Sequence, residues 1–256
     1  DTISDQKTSI YIKQANVTIG PSNLLARDVT LKEIRIDKAE IQSEVVSNRP
    51  YEYFVQLKSR KRRTANKGLV LPSWLHAKRT HFSLRDIKFI VKDSILNRYF
   101  NIEVHQIKGI LKNNNLQLNG ALNLDITIND LGFNTKKGSY INGARVRGNP
   151  KLQINENRDL INIPEFMLSI DDEVFRAKAN FNLSDITSYT FSLQNENTNF
   201  KAIKGFLPDS LSAKLSAYSI HKPLKTTLNM SGKFQFRDKP KLYAVFSATD
   251  NDVDIK

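Results

Sequence analysis

Residues 82–131 read FSLRDIKFIVKDSILNRYFNIEVHQIKGILKNNNLQLNGALNLDITINDL, and apolar residues alternate with polar ones almost throughout. The alternation is most regular between residues 116 and 128, where every second residue is apolar or glycine. A period of two places successive side chains on opposite faces of an extended chain. The pattern therefore predicts a strand with one apolar face, formed by Leu116, Leu118, Gly120, Leu122, Leu124, Ile126 and Ile128.

A polar run, Lys112-Asn113-Asn114-Asn115, interrupts this alternation. Asn adopts turn conformations at little cost, so residues 101–111 and 116–128 are expected to pair as an antiparallel hairpin. The second strand of this hairpin is long compared with the usual ~5–6 residues. Similar alternation recurs along most of the chain, so the sequence predicts a mainly β protein built on an extended antiparallel sheet.

One segment departs from the β pattern. Between residues 199 and 218 the apolar residues recur at helical spacing on both sides of Pro208. We interpret this segment as two short helices, with Pro208 near the first turn of the second, where its missing N–H is harmless. The apolar sides of these helices are expected to plug one end of the β core.

Two of the predicted strands change phase within their length. Two polar residues separate Leu31 from Ile34, and two polar residues also separate Leu84 from Ile87. A strand with this spacing keeps its apolar residues on one face only if it contains a bulge or a bend. Residues 29–36 and 82–89 are therefore expected to form irregular strands.

Composition excludes several classes of protein. The chain has 256 residues, of which 39% are hydrophobic, and its formal net charge is +13. No run of about 18 apolar residues occurs, so no helix is predicted to span a bilayer. The absence of cysteine excludes disulfides, thiolate catalysis and cysteine-ligated metals. The positive charge permits contact with the phosphates of lipids or nucleic acids, and it is also compatible with an ordinary basic protein.

A basic run, KSRKRRTANK, occupies residues 58–67 and contains no acidic residue. Such a cluster repels itself, so we expect it to form an exposed loop. Three interpretations are open: a solvated loop, a contact with an anionic membrane, and a nucleic-acid patch. Each basic residue near an anionic membrane contributes ~1 kcal/mol. No interleaved aromatic residues support the nucleic-acid patch. The candidates for contact with an anionic surface are Lys58, Arg60, Lys61, Arg62, Arg63 and Lys67.

No group of residues in the sequence indicates catalysis. His76 and His81 are close in sequence, but no carboxylate lies beside them at metal-ligand spacing. Phosphate-loop, nucleophile-elbow and dinucleotide-binding motifs are absent. We therefore expect no enzymatic activity, no cofactor and no metal site. A glycosidase-type pair of carboxylates carries no sequence signature, so this possibility stays open.

Several of these segments together resemble the AsmA-like family of bacterial envelope proteins, in a form typical of Bacteroidetes. The resemblance covers most of the chain, and none of its motifs is catalytic. The segments that carry it are residues 29–36 and 82–89, residues 101–120 ending in Leu118-Asn119-Gly120, the segment FKAIKGFLP at residues 200–208, and residues 224–236 with Ser231-Gly232.

The resemblance implies an elongated, curved β-sheet that forms a groove. Residues 1–256 would then be a single elongated β domain, a periplasmic fragment of a longer protein anchored to the inner membrane. The implied function is outer-membrane biogenesis and phospholipid transport between membranes. The implied partners are phospholipid or a membrane surface and other envelope proteins, with no nucleic acid.

Two functions of different classes follow from these observations. In the first, a non-enzymatic envelope protein binds acyl chains along an apolar groove, and the groove candidates are Leu116, Leu118, Leu122, Leu124, Ile126 and Ile128. In the second, an adhesin-like β-sandwich binds carbohydrate or protein, and the same residues face a closed core beneath a second sheet. The residues alone leave both arrangements open, and the resemblance favours the groove.

Overall fold

The structure, a computed structural model, describes residues 6–20, 29–45, 75–76, 79–94, 97–114, 117–155, 157, 159–184, 187–205, 207, 209–233 and 240–255. The basic run of residues 58–67 lies outside these ranges, as do the groove candidate Leu116 and Pro208. Predictions that rest on those residues stay predictions.

The described residues are mainly β-strands, as the alternation predicts, and most of the strands belong to one large curved sheet. The sheet has 13 strands, in the order β1-β2-β4-β5-β6-β7-β9-β10-β11-β13-β14, with β3 beside β2 and β8 between β6 and β9. The strands are β1 (Gln6–Gly20), β2 (Val29–Val45), β3 (Leu75–His76), β4 (Arg79–Asp93), β5 (Arg98–Asn114), β6 (Gln117–Gly132), β7 (Ala144–Gly148), β8 (Lys151–Asn155), β9 (Leu160–Ile170), β10 (Glu173–Asn182), β11 (Ser188–Thr198), β13 (Leu224–Lys233) and β14 (Lys241–Ser247). A separate pair consists of β12 (Tyr218–Ile220) and β15 (Val253–Ile255).

Strands β5 and β6 form the predicted hairpin, which extends from the Tyr99–Gly132 pair to the Asn114–Gln117 pair. Strand pairing continues through Asn114, so the connection is tighter than the four-residue turn that the Asn run predicts. The sheet is antiparallel except at β2, which pairs in parallel with β3 and β4. The sequence gives no local signal for a parallel pair, because its partners lie 48 positions apart, as Ile34 and Phe82 do.

The only described α-helices are α1 (Phe200–Gly205) and α2 (Asp209–Leu215), within the segment predicted to be helical. Phe200 and Ile203 of α1 pack with Leu224, the first residue of β13, in a small buried cluster. Leu207, Leu215 and Ile220 pack against the outside of this cluster. Because Leu224 begins β13, the helices pack at one end of the large sheet rather than across its width.

The phase changes seen in the sequence correspond to irregular positions in the strands. The register of β1 against β2 shifts between Thr18 and Ile19, so Lys32 is an extra residue in β2. In β4, Asp86 has a positive φ of 53°, between Leu84 and Ile87. Lys38 of β2 has a φ of 58° and lies between the partners of Arg85 and Ile87. A shift in β5 between Val104 and Gln106 continues the line of irregular positions. This line crosses neighbouring strands, and we call it the crease.

Strands β7 and β8 behave as one strand that is interrupted at Asn149-Pro150. Both pair with β6 in the same register, at Leu124–Gly148 and Ala121–Lys151. The carbonyl of Pro150 accepts a hydrogen bond from the Leu122 N–H across the interruption. Strand β7 therefore lies inside the sheet, between β6 and β9, rather than in a loop or at an edge as the glycine- and asparagine-rich sequence indicates.

Candidate functional site

The register of the strands lines up apolar side chains across the sheet. Cross-strand partners share a face, so each chain of partners defines one row on one side of the sheet. One row runs from β1 to β10 and consists of Ala15, Ile36, Leu84, Ile107, Leu124, Gly148, Leu168 and Phe175. We call the side of the sheet that carries this row the inner face.

Neighbouring rows extend the inner face in both directions. One contains Ile12, Ala39, Ile87, Val104, Ile126, Val146 and Ile170. A second contains Ile10, Ile41, Phe89, Ile102, Ile128 and Ala144. A third row extends the inner face beyond β10 and contains Ala177, Leu193, Leu228 and Ala244. The inner face is thus apolar from β1 to β14, a path of roughly 48 Å at ~4.8 Å between strands.

The groove candidates named from the sequence lie together on this face. Leu118, Leu122, Leu124, Ile126 and Ile128 lie on the inner face of β6, with Gly120 between the first two, and each of the five is partly buried. Apolar residues of other strands, which were not among the groove candidates, complete the face around them; Phe89, Ile102 and Val146 are examples. Alternation in β2, β4 and β5 shows that each of these strands has an apolar side. Only the register shows that these apolar sides lie on the same face of the sheet as that of β6.

Burial on the inner face is deepest around β7, β9, β10 and β11. Phe175 is 0% exposed and belongs to a cluster of buried side chains drawn from β7, β9, β10 and β11. Partly buried apolar residues pack against this cluster, among them Leu228 of β13 and Ile141 of the segment between β6 and β7. At the edges the same face is open: Ile10 on β1 is 63% exposed and Leu242 on β14 is 47% exposed.

Two inner-face glycines allow the neighbouring side chains to pack closely. A Cβ at Gly109 would lie 2.4 Å from the backbone oxygen of Ala121 and 2.8 Å from Leu122 Cδ2. A Cβ at Gly120 would lie 3.0 Å from Leu111 Cδ2 and 3.2 Å from Leu152 Cβ. Neighbouring large residues thus occupy the space that a side chain at either glycine would need.

The opposite side of the sheet, the outer face, carries charged and polar residues. One of its rows consists of Asp37, Arg85, Gln106, Asp125 and Arg147. Arg85 Nε donates to Asp37 Oδ1 over 2.7 Å. Arg145 makes a two-bond contact with Asp125, at 2.8 and 2.7 Å. The sheet is therefore amphipathic, with ion pairs on one side and a continuous apolar surface on the other.

These arginines change the acid–base properties of their partners. The hydrogen bond from Arg85 lowers the pKa of Asp37 below its ordinary value, and the hydrogen bond from Arg145 does the same to the pKa of Asp125. A carboxyl whose folded-state pKa lies below its unfolded-state pKa stabilises the fold when ionised. This contribution is present above the unfolded-state pKa and is lost as the pH falls through the folded-state pKa.

We expect Asp125→Asn to lower the free energy of unfolding at neutral pH and to leave it nearly unchanged in acid, below the lowered pKa of Asp125. The reason is that the parent loses the same ion pair once Asp125 is protonated. Urea unfolding followed across the acid range measures the difference between variant and parent. Asp172→Asn, at the exposed turn between β9 and β10, is the control; a constant difference for Asp125→Asn at every pH would contradict the prediction.

The histidines and acidic residues of the described ranges do not form a metal site. Among the residues that the structure describes, no group of three or more His, Cys, Asp or Glu side chains is placed to hold a metal ion. His105 Nε2 lies 2.7 Å from Thr127 Oγ1, and His221 Nε2 lies 2.8 Å from Asp254 Oδ2. No helix in the described part of the chain is long and apolar enough to cross a membrane.

The fold and this face define a mainly β protein with one large, amphipathic curved sheet. Neither a comparison with protein-family models nor a search of the curated proteins finds a match to this chain.

Proposed function

We propose that this chain is a non-enzymatic envelope protein that binds phospholipid acyl chains on the inner face of its sheet and takes part in outer-membrane biogenesis or lipid transport. The observation that carries the proposal is the continuity of the apolar rows from β1 to β14, and the other described sheet is only a pair of three-residue strands. Its setting would be the periplasm, in a protein anchored to the inner membrane, as the sequence resemblance implies.

The energetics of such a surface favour an extended apolar ligand. Each methylene removed from water contributes roughly 0.8 kcal/mol, and an acyl chain supplies more than ten methylenes in a row. Association is estimated to cost about 4–15 kcal/mol. Burial of one acyl chain can therefore contribute more than the lower end of this cost. Backbone N–H and C=O groups on the inner face are paired in the strand ladders, so the tail meets few polar atoms.

The polar outer face fits a sheet that holds lipid on its inner face and meets water on the other side. Its rows alternate acidic and basic residues, such as Asp37, Arg85 and Asp125, which keep that side of the sheet in water. The alternative function, a β-sandwich adhesin, needs a second sheet that covers these apolar rows. The described strands instead form one large sheet and a small separate pair.

Phe89 is a suitable position to test the proposal. Its side chain is 36% exposed on the inner face, beside Ile41 and Ile102, and this row continues to Ile128. We expect Phe89→Asp to lower the ratio of bound phospholipid to protein several-fold, because a carboxylate is unfavourable beside an acyl chain. Native mass spectrometry and lipid extraction measure this ratio after exposure to phosphatidylglycerol–phosphatidylethanolamine vesicles.

Ile90→Asp is the matched control. Ile90 is the next residue of β4, and it lies on the outer face, where its partners are Gln42 and Asn101. It receives the same charge but leaves the inner face apolar, so the variant is expected to bind lipid as the parent does. Equal lipid content in all three proteins, with urea unfolding showing each to be folded, would refute the proposed function.

A further inference from the structure

The outermost strand β1 is unusual among the strands of the sheet because both of its faces are open. It is 15 residues long and pairs on one side with β2. All side chains from residue 7 to residue 19 are exposed, and those of Tyr11 and Val17 are 65% and 60% exposed. No other described residue pairs with its free edge.

This edge has few of the features that prevent strands from pairing. Native proteins protect edge strands with charges, prolines, bulges or short lengths. Strand β1 contains no proline, and its only charged residues are Lys7 and Lys13. Ile10, Ile12 and Val17 belong to the inner-face rows, so a strand added here would extend the apolar surface.

The sequence of β1 matches itself in the antiparallel direction. Partners in β2 show that Ile10 and Ile12 lie on the inner face, and that Ala15 and Val17 also lie there although they are at odd positions. The change of phase occurs around Lys13, opposite Lys38 of the crease. A second β1 that runs antiparallel can keep all these residues on one face only if the two phase changes lie opposite each other.

One register satisfies this condition. In this register Lys13 of one copy lies opposite Gln14 of the other. Ile10 then faces Val17 and Ile12 faces Ala15 of the other copy, in the alternation of an antiparallel ladder. On the outer face, Ser9 is then opposite Thr18 and Tyr11 is opposite Asn16. Registers one residue to either side place inner-face residues opposite outer-face residues.

The same register places no two lysines directly opposite each other. Like charges directly opposite each other destabilise a pair of strands. Lys7 is opposite Gly20 and Lys13 is opposite Gln14 of the other copy, so the two Lys13 residues lie one position apart beside the axis. A pairing of β1 with β1 is isologous and closes as a dimer, whereas a pairing of β1 with the other edge strand, β14, continues head to tail into a filament.

From this complementarity we propose that β1 is a dimer interface, in which two copies of the chain join edge to edge about a two-fold axis beside Lys13 and Gln14. The two sheets then form one sheet whose inner face is continuous across the axis. The dimer does not depend on the proposed lipid-binding function, since it follows from the edge and its register.

A charge exchange tests the register. Ile10→Glu and Val17→Lys, each made alone, place a charge opposite an apolar residue twice per dimer, and each is expected to weaken dimerisation by about tenfold or more. The double variant places the new carboxylate at position 10 opposite the new ammonium group at position 17 of the other copy, and it is expected to recover most of the affinity. Within one chain these positions are about 23 Å apart, so they cannot pair there. Sedimentation velocity measures the dissociation constant.

Ile10→Glu combined with Asn16→Lys is the mismatched control, because position 16 lies on the outer face, opposite Tyr11 of the other copy; it is expected to stay weak. All these side chains are exposed in β1, so the single chain is expected to keep its fold, which urea unfolding verifies. A parent that sediments as a monomer at its highest soluble concentration would overturn the proposal. So would a dimer that none of the β1 variants weakens, or a concentration-dependent filament that a substitution in β14 abolishes.

Cysteine pairing gives an independent measurement, because the natural chain has no cysteine. In the proposed register, residues 12 and 15 of opposite copies have Cβ atoms within about 4.5–5.5 Å. Within one strand their Cα atoms are about 10 Å apart, beyond the ~7 Å limit for a disulfide. Ile12→Cys with Ala15→Cys should therefore give a covalent dimer on oxidation, and Ile12→Cys alone should not. Failure of the double variant to cross-link would contradict the register.

Discussion

Phe175→Ala is expected to lower the free energy of unfolding by about 3–5 kcal/mol, the range for removing a fully buried aromatic side chain. Phe175 is 0% exposed and lies beside Leu168 in the cluster that also contains Val146, Ala177 and Leu193. The cavity left by the substitution cannot be filled without moving several strands, because the cluster draws side chains from four of them. Urea unfolding of lipid-free protein measures the loss.

The control for this substitution is Tyr243→Ala, which removes an aromatic side chain from the edge strand β14, where Tyr243 is 65% exposed. Its effect is expected to stay within about 0.5 kcal/mol, as for most surface positions. Equal losses at Tyr243 and Phe175 would show that the cluster around Phe175 is not the main source of stability.

Gly109→Ala is expected to cost about 1–3 kcal/mol, although it adds a single methyl group; the penalty is that of overpacking a well-packed region. The new Cβ would lie 2.4 Å from the Ala121 backbone oxygen, and a backbone atom cannot move aside as the end of a side chain can. Strand β5 or β6 would therefore have to shift. The midpoint of urea unfolding is the measurement.

Gly205→Ala is the matched control, because nothing lies within 4 Å of the position that its Cβ would take. Removing a glycine at such a position restricts the unfolded chain and is expected to be neutral or to stabilise by up to about 1 kcal/mol. A Gly109→Ala variant as stable as Gly205→Ala would show that β5 and β6 are less closely packed at this point than the structure has them.

Local patterns in the sequence predict the strands well. Alternation at Leu118, Leu122 and Ile126 identifies β6 and its apolar side, and the helical spacing around Ile203 identifies the only described α-helices. The spacing of Leu84 and Ile87 also signals an irregular strand, which the positive φ of Asp86 confirms. These features depend on residues a few positions apart, so the sequence displays them directly.

The candidate site was only partly predictable. Alternation in the sequence identified groove residues on β6 alone, whereas the inner face also includes Phe89, Ile102 and Val146 on other strands. Alternation shows that a strand has an apolar side, but the identity of its neighbours depends on register, which is set between distant residues. The same limit applies to β7, whose glycine- and asparagine-rich surroundings indicate a loop or an edge strand.

The sequence by itself determined the β class of the protein, the β5–β6 hairpin, the helical segment at residues 199–218 and the apolar side of β6, because each follows from the periodicity of neighbouring residues. Only the tertiary structure decided that β2 pairs in parallel with β4, that the irregular positions at Lys38 and Asp86 align into a crease, and that the apolar sides of successive strands join into one inner face. Those features arise from hydrogen-bonded pairing between strands far apart in the chain, and no local pattern encodes that pairing.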